Sequence, residues 1–132
     1  MSRKGVGRTR SVISRPSVLL IGPSSDSLAR KQALLELSGF EIARAENICY
    51  AEVFADSRRF DAAVYDDSIP AHEQVALANV MRIRWPWMRL ISCGADSAPN
   101  LFDALECAES ELPIVLRRML KKPEASDKTG TL

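Results

Sequence analysis

Apolar residues occur along this chain in short bursts, with polar punctuation between them. Ser17-Val18-Leu19-Leu20-Ile21 is a β-branched and leucine run stopped by Gly22-Pro23, which predicts a first strand. Ser24-Ser25-Asp26 supplies N-cap residues for a helix from about Leu28 to Leu37. Leu28, Leu34, Leu35 and Leu37 form its expected core side, and Ser38-Gly39 ends it. Phe40 to Ala45 alternates apolar and polar, as a half-exposed strand does. Asn47 can cap a second helix across Ile48, Ala51, Val53, Phe54 and Ala55. The run Ala62 to Tyr65 lies between acids and reads as a buried third strand, opening into a loop at Asp66-Asp67-Ser68-Ile69-Pro70.

Pro70 suits the first turn of a third helix carried by Val75, Leu77, Val80, Met81 and Ile83. Trp85-Pro86-Trp87 breaks that helix, and Met88 to Ser92 forms a fourth strand ended by Gly94. Asp96 to Asn100 is loop-like, and Leu101 to Cys107 fits either a fifth strand or a helix. A last helix runs from about Glu109 to Leu120, with Pro113 in its first turn. Strand and helix alternate, which predicts an α/β domain: a parallel sheet covered by helices on both faces. Only about nine residues separate Ser92 from Leu101, fewer than the dozen or so a helical crossover needs. The helix between the fourth and fifth strands is therefore expected to be short or absent.

Composition adds bounds to this picture. A hydrophobic content of 46% over 132 residues suits one globular domain with a real core. No apolar run approaches the roughly 18–20 residues that span a bilayer, and no long apolar segment follows the basic N-terminus, so no secretory signal is expected. Cys49, Cys93 and Cys107 have no metal-type spacing and read as reduced thiols of a cytoplasmic protein. The net charge of +1 hides an asymmetry. Residues 1–16 carry only basic charges and the C-terminal end is also basic, so the body between them is acidic. The expected organisation is a disordered basic arm over 1–16, a domain over 17–120 and a disordered tail over 121–132. Basic ends can contact nucleic acid, which is one alternative function, ranked last because the body is acidic. His72 reads as a solvated residue of the third helix, and no serine or cysteine belongs to a histidine-centred triad, so no enzyme is expected.

The stretch Phe60-Asp61-Ala62-Ala63-Val64-Tyr65-Asp66, with Pro70 four residues on, resembles the acid-flanked strand of response-regulator receiver domains. The spacing from Val18-Leu19-Leu20-Ile21 through Leu34-Leu35 to Gly39-Phe40 is similar to that family's first strand and helix, and Ser92 falls at its Thr/Ser position. The resemblance covers about residues 17–120. It implies a flavodoxin-like, doubly wound five-stranded parallel sheet of order 2-1-3-4-5, and it makes Asp66 the phosphoacceptor position, with Asp67, Ser92 and Cys93 as supporting site residues.

The chain departs from the family's chemistry. Receivers place two acids after the first strand, which bind Mg²⁺ together with the phosphoacceptor. Here Gly22 and Pro23 stand there, so no metal ligand set and no Mg²⁺ cofactor is expected. Asp26 is read as a helix cap. The family's lysine at the end of strand five has no counterpart, because Leu105-Glu106-Cys107-Ala108 occupies that region. Gln74 stands at a loop glycine, and the aromatic switch position falls near Asp103 or Ala104. These departures imply a pseudo-receiver of a two-component phosphorelay system. It would act by protein–protein contact with a histidine kinase or other signalling protein, or as a homodimer. The alternative is an active phosphoacceptor, phosphorylated on Asp66.

Overall fold

The computed structural model describes residues 15–94 and 100–120. The basic arm up to residue 14, the tail from 121 and the loop from 95 to 99 lie outside the described residues. The elements in order are β1 (Ser17–Ile21), α1 (Asp26–Leu37), β2 (Glu41–Ala45), α2 (Ile48–Ser57), β3 (Ala62–Tyr65), α3 (Ala71–Arg84), β4 (Arg89–Ser92), a single 3₁₀ turn (Glu109–Glu111) and α4 (Leu112–Leu120). All three strand pairings are parallel and the sheet order is β2-β1-β3-β4.

Local chemistry places these elements. The Ser25 hydroxyl accepts from the Leu28 N–H at 3.0 Å and starts α1. The Asn47 side-chain oxygen Oδ1 does the same for α2, accepting from Tyr50 N–H at 3.0 Å. Pro70 is the residue immediately before α3 rather than within it. The strands alternate between two apolar layers, as side chains on a pleated backbone must. Leu19, Ile21, Ala63, Tyr65 and Leu90 face Ala51 and Ala55 of α2 and Leu77, Ala78 and Met81 of α3. Val18, Leu20, Ala62, Val64 and Ile91 face Leu28 and Leu35 of α1 and Leu112 and Leu116 of α4.

Other expectations change as well. Leu37 is 86% exposed, not part of the core side of α1, because the buried face runs Leu28, Lys31, Leu35. Val53 is likewise exposed on α2. The fifth position of the sheet holds no regular strand among the described residues. Ala104 makes one parallel bridge to Ile91, with Asp103 N–H donating to Leu90 C=O and Ser92 N–H to Ala104 C=O. Side chains complete this edge. The Asp103 carboxylate accepts from Leu90 N–H at 2.8 Å, and Arg82 of α3 bonds both Leu101 C=O and the Asp103 carboxylate. No helix occurs among the described residues between Ser92 and Ala108, and residues 95–99, where the shortened helix is expected, lie outside them.

Candidate functional site

β1, β3 and β4 end together, and the loops that follow them converge on Asp66, at the C-terminal edge of the sheet where open α/β folds build sites. Asp66 is buried, and its N–H donates to Ile21 C=O at 2.9 Å, which fixes it against the end of β1. Gly22 follows Ile21 with φ of 156° and lies so close that a Cβ there would stand 2.7 Å from the Asp66 Cβ. Only a residue without a side chain permits that approach.

Lys31 of α1 reaches into this space. Its ammonium donates to Asp66 Oδ1 at 2.6 Å and to Ser27 Oγ at 3.1 Å, with Asp67 Oδ1 at 3.8 Å. The Lys31 and Asp66 side chains are only 5% and 2% exposed. The second carboxylate oxygen of Asp66 accepts from the Ser68 N–H at 3.1 Å and from the Ser68 hydroxyl. Burial opposes charge on both partners, but their mutual hydrogen bond and attraction outweigh it. The Lys31 ammonium is therefore held above its ordinary value. The Asp66 carboxyl is held below its own, with Ser68 contributing. Both stay ionised at neutral pH.

The expected site residues divide into two groups. Asp66 is at the centre, and Asp67 is 63% exposed at the rim of a 390 Å³ cleft that Ser27, Lys31, Cys93, Glu106 and Cys107 also line. Cys93 belongs to this rim, and burial pushes its thiol up to about 12. Ser92 lies deeper. Its hydroxyl donates to Gln74 Oε1 at 2.7 Å and accepts from Gly94 N–H, while Gln74 Nε2 donates to Ile69 C=O. Ser92 and Gln74 thus brace the loop after β3. His72 is exposed on α3.

An amine does reach Asp66, although the end of the fifth strand offers none. It comes from α1, which the sequence reading missed. A signal was present: Lys31 lies three residues after Leu28 and four before Leu35, inside the apolar stripe of the helix. The family's aromatic switch position falls near Asp103 or Ala104, where no aromatic stands, but an aromatic ring lies beside it. Phe102 is buried and packs edge-to-face on Tyr65 with ring centroids 5.0 Å apart.

The site does not fit Mg²⁺. A hard cation needs several oxygen ligands. Gly22 and Pro23 supply no side-chain oxygen, and the Lys31 ammonium occupies one oxygen of Asp66 while Ser68 occupies the other. Among the described residues, no group of three or more His, Cys, Asp or Glu side chains is placed to hold a metal ion.

Comparison with known proteins agrees with this architecture. No family profile matches the chain. It is 36% identical over 70 residues to the transcriptional regulatory protein PrrA of Mycobacterium tuberculosis, a match over 53% of this chain and 30% of that one. The chain thus spans under a third of the length of the curated relatives it matches. Among solved structures it resembles a CheY-like receiver domain from Methanospirillum hungatei, with a TM-score of 0.72, 18% identity and coverage of 85% of this chain and 98% of that one. It also resembles the receiver domain of an HD-domain protein from Pseudomonas fluorescens, with a TM-score of 0.70, 20% identity and coverage of 84% and 98%. A third likeness is to the Thermotoga maritima response regulator TrrA, solved with Mg²⁺ and beryllofluoride and also with the histidine kinase ThkA. TrrA matches over 80% of this chain at 19% identity, with a TM-score of 0.65 in the first structure and 0.68 in the second. Strand order, helix placement and an aspartate at the end of β3 give this chain the fold of the response-regulator receiver domains.

Proposed function

We propose that this chain is a receiver-like signalling module that works without acyl-phosphate chemistry, through contact with other proteins. One observation carries the reading: the buried pairing of Lys31 Nζ with Asp66 Oδ1 at 2.6 Å. A carboxylate nucleophile attacks with an oxygen lone pair. Here the Lys31 ammonium holds Oδ1 and Ser68 donates twice to Oδ2, so attack first has to break a buried ion pair, and the charge that a metal would balance is already balanced by an internal ammonium. The lysine serves as a permanent counter-ion, and the domain is held in one state rather than switched between two. Such a module needs no cofactor and is not an enzyme. Its partners are proteins of a two-component system, a histidine kinase or another signalling protein, or a second copy of itself. The T. maritima regulator, found both with its kinase and with Mg²⁺–beryllofluoride, supports the kinase as the first partner to try.

The test is titration of the ¹⁵N-labelled chain with Mg²⁺ and then beryllofluoride. The expected outcome is no movement of the amides of Tyr65 to Ile69 at millimolar concentrations. Saturable shifts there that disappear in Asp66→Asn would overturn the reading and establish Asp66 as a phosphoacceptor.

A further inference from the structure

Cys93 directly follows β4 and Cys107 lies three residues beyond the bridge residue Ala104, yet the fold sets them side by side. Ser92 C=O accepts from the Cys107 N–H at 3.2 Å, and Gly94 C=O accepts from the Glu106 N–H at 3.2 Å. The carbonyls on either side of Cys93 are thus held by two consecutive amides. Glu106 aims them so by adopting φ of 53°, a left-handed conformation uncommon for a residue with a Cβ. These two hydrogen bonds bring the backbones around Cys93 and Cys107 into direct contact, and a disulfide spans ~4.4–6.8 Å between Cα atoms. The side chains converge too. Both thiols belong to the apolar cluster beneath α1 and α4, and both line the cleft beside Lys31. Cys49 is exposed on α2 and lines no part of that cleft.

We infer that Cys93 and Cys107 are a reversible dithiol–disulfide pair, oxidised by a small-molecule disulfide of the glutathione type, whose closure clamps the segment after Ala104 onto the end of β4. Cys93, the more accessible of the two, loses its proton and attacks one sulfur of the oxidant. A mixed disulfide forms and the first small thiolate leaves, taking up a proton. Cys107 then loses its proton and attacks the Cys93 sulfur. The protein disulfide forms and the second small thiol departs. Two protein thiols are oxidised and one small disulfide is reduced to two thiols.

The surroundings set the pace. Burial raises the Cys93 thiol, the Lys31 ammonium works against that rise, and Cys107, Asp66 and Asp67 add to it. Burial and Glu111 raise Cys107, and Glu106 and Glu109 add their carboxylates to the cleft wall. Since the thiolate is the attacking form, closure is slow at neutral pH and speeds up about tenfold per pH unit through the alkaline range. This inference stands apart from the reading of Asp66.

The experiment incubates the full chain with oxidised glutathione between pH 7.5 and 9.5, quenches in acid and maps the peptides by mass spectrometry. The expected result is a reducible link between the Cys93 and Cys107 peptides, formed faster as pH rises and unchanged in Cys49→Ser. In Cys107→Ser, a glutathione adduct accumulates on Cys93. Adducts or dimers through Cys49 alone, an unresolved adduct on Cys93 in the unaltered chain, or a link that forms only in denaturant would each overturn the inference. The unaltered chain carries the decisive readout, so a misfolded variant does not spoil the test.

Discussion

A lysine within the buried stripe of a helix decides what the neighbouring aspartate can be. Removing one member of a buried pair strands the other, at a cost of about 3–5 kcal/mol. Lys31→Met is therefore expected to destabilise the chain by that amount in urea denaturation. The double variant Lys31→Met/Asp66→Leu should lose far less than the two single losses combined, because no charge is left unpaired. The pH dependence has a definite sign on each side. Asp66, held low, contributes stability that is full above about pH 4 and fades as pH falls through its lowered value. Lys31, held high, contributes stability that is full below about pH 10 and fades as pH rises through its raised value. Denaturation midpoints from pH 2 to 11 should show both losses in the native chain and neither contribution in the double variant. Asp66 itself was legible in the sequence, since an apolar run ending in an acid marks a strand end. Its partner was not, because a lysine on a helix is ordinarily solvated and nothing local to Lys31 reports a carboxylate 35 residues away.

The regular elements were legible from their own residues: apolar runs for β1, β3 and β4, and Ser25 and Asn47 as caps for α1 and α2. The edge beyond β4 was not. Its ladder is partly replaced by side chains far apart in sequence, with Asp103 accepting from Leu90 N–H and Arg82 bonding Leu101 C=O and the Asp103 carboxylate. Neither alternation nor helical period encodes such an arrangement. Arg82 Nη1 also donates to Met88 C=O, so one guanidinium ties α3 to the start of β4 and to the segment beside it. Arg82→Ala is expected to loosen this edge without unfolding the sheet. Hydrogen exchange should quicken at the Leu90, Ser92 and Cys107 amides, while those of Val18 to Ile21 stay protected. Quickening throughout the sheet would show that the edge and centre open together.

At the scale of the molecule, β1 joins the two apolar layers, with Leu19 in one and Leu20 in the other. β3 and β4 are shared in the same way, which leaves little chance for either layer to melt alone. Leu19→Ala and Leu20→Ala are each expected to cost about 2–5 kcal/mol and to move a single transition. Far-UV circular dichroism and tryptophan fluorescence should give coincident curves for both variants. Separate transitions would mean the layers are independent. This two-layer plan follows from the alternation of strands and helices, which is why the overall architecture was readable when the ion pair was not. No helix among the described residues is long and apolar enough to cross a membrane.

The contact between Gly22 and Asp66 bears on any attempt to engineer a cation site into this chain. Placing an acid at position 22 would not supply a ligand. The new Cβ would collide with the very aspartate it was meant to assist, at 2.7 Å from its Cβ. A redesign would have to move β3 relative to β1, or recruit oxygen from position 23 after clearing Lys31. The site is closed by volume as well as by charge, so the two obstacles must be removed together.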